Sequence, residues 1–147
     1  AVGHADRGRE MTKRVTALEK QLLARPARKD SHALIYRVGG RVAGAPSLGD
    51  TAMTLAGFQN LATELQLGAW GSLSIEGVIR AKPDFLILDD PRSAAPAYGR
   101  AVFSHPALSR AGIGFKTAYL QSHATICGTP QLLEAARDLA AAYRKGE

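Results

Sequence analysis

The chain has 147 residues, 46% of them hydrophobic and 22% charged, and a formal net charge of +6. That length suits one domain with a core of its own, while no apolar stretch approaches the roughly 20 residues needed to cross a bilayer and the single Cys127 excludes an internal disulfide framework. The basic balance favours anionic partners, but aromatics are sparse, Lys and Arg are scattered and no nucleic-acid-binding motif occurs, so general solubility or an anionic small ligand is preferred to nucleic acid.

Over residues 3–25, Met11, Val15, Leu18 and Leu22 recur at helical spacing among Lys and Arg, which predicts an amphipathic helix. Pro26 and the polar run to Ser31 end it. Residues 33–38 form a short apolar run closed by Gly39-Gly40, the pattern of a buried strand, and a Gly-rich loop with a brief extended piece at Arg41-Val42-Ala43 follows. Asp50 or Thr51 is expected to cap a helix through Ala56, with Gly57 as its stop. Ser74 caps the next helix, which turns Ile75, Val78 and Ile79 inward and closes at Lys82-Pro83-Asp84 before a strand over 85–88. Residues 90–108, interrupted by Pro91, Pro96 and Pro106, read as loop and short helix. A third strand over 115–120 and a last helix from Thr129-Pro130, striped by Leu132, Leu133, Ala136, Leu139 and Ala140, complete the pattern. Strand, helix and strand in this order predict a parallel sheet with helices on its faces.

Several motifs stand in a recognisable order. Trp70-Gly-Ser-Leu-Ser-Ile-Glu76-Gly-Val-Ile-Arg-Ala-Lys-Pro83-Asp84-Phe-Leu-Ile-Leu-Asp89 joins an aromatic loop, a capped helix with one outward acid, and a buried strand. Ahead of it lie Gly8-Arg9 near the first helix start and the turn Ala56-Gly57-Phe58-Gln59-Asn60-Leu61-Ala62, and after it Ile126-Cys127-Gly128-Thr129-Pro130 leads into the last helix. Together they resemble the carboxy-terminal lobe of the class III periplasmic binding proteins that feed ABC importers with cobalamin, haem or ferric siderophores.

The resemblance implies a three-layer, Rossmann-like α/β lobe with a short, mainly parallel sheet over residues 27–147, preceded by an amphipathic connecting helix at 1–26. That helix would be the second part of the connection to an amino-terminal lobe expected upstream, together with any signal peptide. Its apolar face is expected to fold back on this lobe or to pair with a second copy. The implied function is capture of a metal chelate or corrinoid in the periplasm, by a free or membrane-anchored protein, and delivery to an ABC permease. No catalysis, metal centre or cofactor of the protein's own is implied.

Glu76, two residues past Ser74, sits where a helix dipole favours an anion, a role worth some tenths of a kcal/mol. The resemblance implies that it docks on a permease arginine through a charge-assisted hydrogen bond. Trp70, the only tryptophan, lies six residues before Glu76 between two glycines. It either anchors its loop to the core or, as the resemblance implies, lays its face against the ligand. Arg37, Gly40 and Arg41 occupy the loop at the carboxyl end of the first strand, where arginines suit a carboxylate or phosphate and glycine permits close backbone approach. The alternative is a flavodoxin-like receiver or small enzyme domain using Asp89 and Asp90, although the basic loop after the first strand lacks the acidic cluster such a receiver needs. His123 and Cys127, four residues apart, supply too few ligands for zinc.

Overall fold

The computed structural model describes residues 4–24, 31–89, 106 and 114–145. Among them, in chain order, are α1 (Ala5–Leu23), β1 (His32–Arg37), a 3-10 turn (Val38–Gly40), β2 (Arg41–Val42), α2 (Leu48–Ala56), β3 (Gln59–Asn60) and α3 (Leu61–Glu64). Then come β4 (Gly71–Ser72), α4 (Ile75–Ala81), β5 (Phe85–Asp89), β6 (Lys116–Leu120), a second 3-10 turn (Ser122–Thr125) and α5 (Gln131–Lys145). The loop and short helix expected over 90–108 lie outside the described residues apart from Pro106.

One sheet in the order β4-β2-β1-β5-β6 organises these elements, with β3 beside the start of β1. β1, β3, β5 and β6 are parallel, while β2 runs antiparallel to both β1 and β4. Strand side chains alternate between faces, so Ala33, Ile35, Phe85, Ile87, Ala118 and Leu120 gather on one side with Met53, Phe58 and Leu139. Leu34, Tyr36, Leu86 and Leu88 gather on the other with Leu61, Ala62 and Val78. Helices α2 and α5 cover the first face, α3 and α4 the second. The result is the expected three-layer α/β lobe, and burial on both faces explains why β1 and β5 read as nearly unbroken apolar runs.

The turn between α2 and α3 shows why its residues are needed. Gly57 ends α2 at φ 93°, a left-handed conformation suited to glycine. Asn60, 7% exposed, donates from Nδ2 to the Ala43 carbonyl at 2.8 Å and to Asp50 Oδ1 at 2.9 Å, and its Oδ1 accepts from the Ala62 N–H at 3.0 Å. One buried amide therefore ties β2, α2 and α3 together. Asp50 consequently is not the cap of α2: Ser47 is, accepting from the Asp50 N–H at 3.1 Å, while the Asp50 carboxylate is drawn to Asn60 and to Thr63 Oγ1 at 3.0 Å.

Helix α1 packs by degrees. Leu22, 2% exposed, joins Ala52, Leu132 and Ala136, with Leu18 partly covered beside them, whereas Met11 at the other end of the stripe is 60% exposed. Its last turns thus fold back on α2 and α5, and its first turns do not. Leu22→Ala should lower unfolding free energy by about 2–5 kcal/mol, and Met11→Ala by less than about 0.5 kcal/mol, as measured by denaturant titration.

Candidate functional site

The parallel strands end along one edge of the sheet, the position at which open α/β sheets hold ligands. On the β2–β4 side of that edge stands the turn Val38–Gly40, where Gly39 and Gly40 adopt φ of 76° and 75°. Gly40 is closely held: its carbonyl accepts from the Leu73 N–H at 2.8 Å, and a Cβ added to it would lie 2.8 Å from the Leu73 carbonyl oxygen. This fastens the turn to the residue before Ser74, whose Oγ accepts from the Gly77 N–H at 3.2 Å to start α4. Glu76 is exposed in the first turn of α4. Trp70, 52% exposed, directly precedes β4, whose Ser72 pairs with the exposed Arg41 of β2. Gly40, Arg41, Trp70 and Glu76 thus belong to one connected set of elements. Tyr36 lies beneath it, 1% exposed, and its phenol is pushed above the ordinary 10.0 first by burial and then by the Glu76 carboxylate.

Arg37 points to the opposite face, following Ala33 and Ile35 in the alternation. Its Nη2 donates to Thr125 Oγ1 at 2.6 Å, and its Nε stands 3.7 Å from Asp89 Oδ1. Asp89 also accepts from Ser122 Oγ at 2.7 Å, and Thr125 Oγ1 donates to the Ser122 carbonyl at 3.1 Å. The Arg37 and Asp89 side chains are only 13% and 12% exposed, and Arg37 Nε has no hydrogen-bond partner among the described residues. A buried donor left in that state costs about 1–3 kcal/mol.

Sequence reasoning placed Arg37 at this edge but missed its partners Ser122 and Thr125. The usable signal was the parallel pair of patterns, Ala33-x-Ile35-x-Arg37 and Phe85-x-Ile87-x-Asp89, which sends a cation and an anion to one face at the same level. Asp90, which the alternative reading needs, lies outside the described residues. His123 and Cys127 are exposed, and no group of three or more His, Cys, Asp or Glu side chains suited to a metal ion occurs among the described residues. A separate groove of about 240 Å³ lies at the far edge of the sheet between β6 and α5, and none of Arg37, Gly40, Arg41 or Trp70 lines it.

No protein-family model and no curated protein sequence matches this chain. Solved structures do. The periplasmic heme-binding protein RhuT from Roseiflexus sp. RS-1 superposes with a TM-score of 0.73 at 26% identity, over 98% of this chain and 58% of that one. The periplasmic heme-binding protein HutB of Vibrio cholerae gives 0.65 at 22% identity, over 95% of this chain and 57% of that one. The periplasmic vitamin B12-binding protein BtuF of Vibrio cholerae gives 0.67 at 13% identity, over 91% and 51%. The chain spans about half the length of these structures, and its fold is that of one lobe of the class III periplasmic heme-, siderophore- and vitamin B12-binding proteins. No helix among the described residues is long and apolar enough to cross a membrane.

The coupling of Tyr36 to Glu76 is measurable. Both causes favour the neutral phenol, so the associated stability is intact below the ordinary tyrosine value and is lost as pH rises through the folded-state value. In an alkaline absorbance titration, Tyr36→Phe should remove an ionisation that falls above 10.0. Glu76→Gln should move that ionisation down toward 10.0 without reaching it, because burial remains.

Proposed function

We propose that this chain is the carboxy-terminal lobe of the substrate-binding component of an ABC importer, which captures a metal chelate such as haem, a ferric siderophore or cobalamin outside the cytoplasm. The observation that carries the reading is the likeness over 98% of the chain to one lobe of a periplasmic heme-binding protein. The connected set at the carboxyl edge supports it. Trp70 offers an exposed ring for a flat ligand, Arg41 a cation for its acidic groups, and Gly40 a backbone that a ligand can approach. Arg37 underlies the same edge with its guanidinium already engaged. Residues 1–26 serve as the second part of the helix from the amino-terminal lobe, and residues 27–147 as the lobe itself. Capture in this arrangement needs no catalytic group.

Glu76 is the permease-docking residue in this reading, exposed at the start of α4 where a permease arginine can reach it. In a full-length importer, Glu76→Ala should leave ligand affinity within about twofold, yet weaken permease association roughly tenfold to a hundredfold, as expected for a lost charge-assisted bond. Equal transport by mutant and parent would remove the docking role.

For the ligand, fluorescence of the single tryptophan, Trp70, reports directly on the edge. Saturating the full-length protein with its ligand should quench or shift that emission. One lobe supplies about half of the contacts, and because free energies enter exponentially the 147-residue chain should bind at least about a hundredfold more weakly than the two-lobed protein. Submicromolar calorimetric binding by this chain as a strict monomer would overturn the two-lobe reading.

A further inference from the structure

Strand β6 stands last in the sheet order, and among the described residues a strand pairs with it on the β5 side alone. The Lys116 N–H donates to the Asp84 carbonyl at 2.8 Å, which fixes the ladder: Lys116, Ala118 and Leu120 turn their backbone groups toward β5. The N–H and C=O groups of Thr117 and Tyr119 therefore point the other way, outward from the sheet. An edge of this kind takes up a further strand.

The side chains along that edge carry complementary charge. Lys116 is exposed and lies on the face of the sheet that holds Phe85, its Nζ 5.5 Å from the centroid of that ring. At the other end of β6, Leu120 and Gln121 line the groove beside α5, where the exposed Glu134 and Asp138 stand one helical turn apart. Asp138 also accepts from Arg137 Nη2 at 2.9 Å, an exposed bond between chain neighbours. A cation and two carboxylates thus mark opposite ends of one five-residue strand.

We propose that this edge is a self-association surface, on which β6 pairs antiparallel with β6 of a second copy about a twofold axis at Ala118. Thr117 then faces Tyr119 of the second copy and exchanges both backbone hydrogen bonds with it, and symmetry repeats the pair. Lys116 faces Leu120 of the second copy. Directly opposed residues of antiparallel strands share a face, so the ammonium reaches the groove that holds Glu134 and Asp138, again twice over. Centring on Ala118 overlaps all five residues, whereas a slide that brings Lys116 onto its own symmetry mate opposes like charges and loses most of the overlap. The occupant is a second copy because the edge complements itself in hydrogen bonding and in charge together. A seam this short lies at the weak end of interface sizes, so the dissociation constant falls on the order of 100 µM. The proposal does not rest on the function proposed above, and it uses neither the carboxyl edge of β1 nor the apolar stripe of α1.

The test is sedimentation equilibrium of the 147-residue chain from about 10 µM to 1 mM, with amide hydrogen exchange across the same range. The parent should pass from monomer to dimer, and exchange at Thr117 and Tyr119 should slow with concentration while Ala118, already bonded within the sheet, stays constant. Thr117→Pro removes an outward N–H and keeps the pairing with β5, so it should weaken association at least about tenfold. Lys116→Glu alone, and Glu134→Lys with Asp138→Lys alone, should each stay monomeric, because each opposes like charges across the seam. Mixing these two proteins should restore a heterodimer, since both charge contacts are then attractive, a rescue that misfolding cannot imitate. A parent that remains monomeric at about 1 mM would overturn the proposal. So would a dimer that survives Thr117→Pro, one that ignores the charge reversals, or one that Met11→Ser abolishes, which would assign the contact to α1.

Discussion

With Ala33 opposite Phe85 and Ile35 opposite Ile87, the parallel pairing of β1 and β5 sends four apolar side chains to the face covered by α2 and α5. The same alternation carries Arg37 and Asp89 to that face at the strand ends, where the apolar layer stops and the turn after β6 begins. A shift of one residue in either strand would place a charged side chain inside the opposite apolar layer, so the hydrophobic pattern and the ion pair specify one register. Everything at the carboxyl edge inherits its position from that pairing.

The other half of the edge is held by backbone. Gly40 exchanges no side chain with its neighbour, yet its carbonyl bond to the Leu73 N–H joins the β1–β2 turn to the entry of α4. The close approach of Gly40 to the Leu73 carbonyl leaves no room for a Cβ at this junction. The exposed acid of α4 is thereby connected to the end of β1 through one short contact, and the buried Tyr36 feels the acid's charge from below.

The layers of this lobe were legible in the sequence because both central strands are short runs of large apolar residues and their neighbouring helices carry clear caps. Ser74 does accept from the helix it begins, and Gly57 does end α2 in the left-handed region. What was not legible depends on contacts between distant segments. Asp50 has the chemistry of a cap, and only the arrival of Asn60 and Thr63 explains why its carboxylate turns away and Ser47 takes the role. Arg37 likewise has the chemistry of a ligand-facing arginine, but its partner Thr125 is 88 positions away and no local pattern announces the bond. The expected stripe of α1 was correct in spacing, although spacing alone does not say that Leu22 finds a core while Met11 does not.

Asp89 illustrates how burial separates two uses of the same carboxylate. A phosphoryl acceptor must be reachable along the line of attack and must tolerate a gain of negative charge. The Asp89 side chain is 12% exposed, holds the Ser122 hydroxyl at 2.7 Å and stands 3.7 Å from the Arg37 guanidinium. Modifying it would break the contact that seats the turn and would have to displace a partner already in place. Arg37 is subject to the same argument with the sign reversed, since an anionic ligand would have to compete with the Asp89 carboxylate 3.7 Å away. Both groups suit a fixed foundation, and the exposed Arg41, which no described carboxylate is shown to engage, is better placed to meet an anion arriving from solvent.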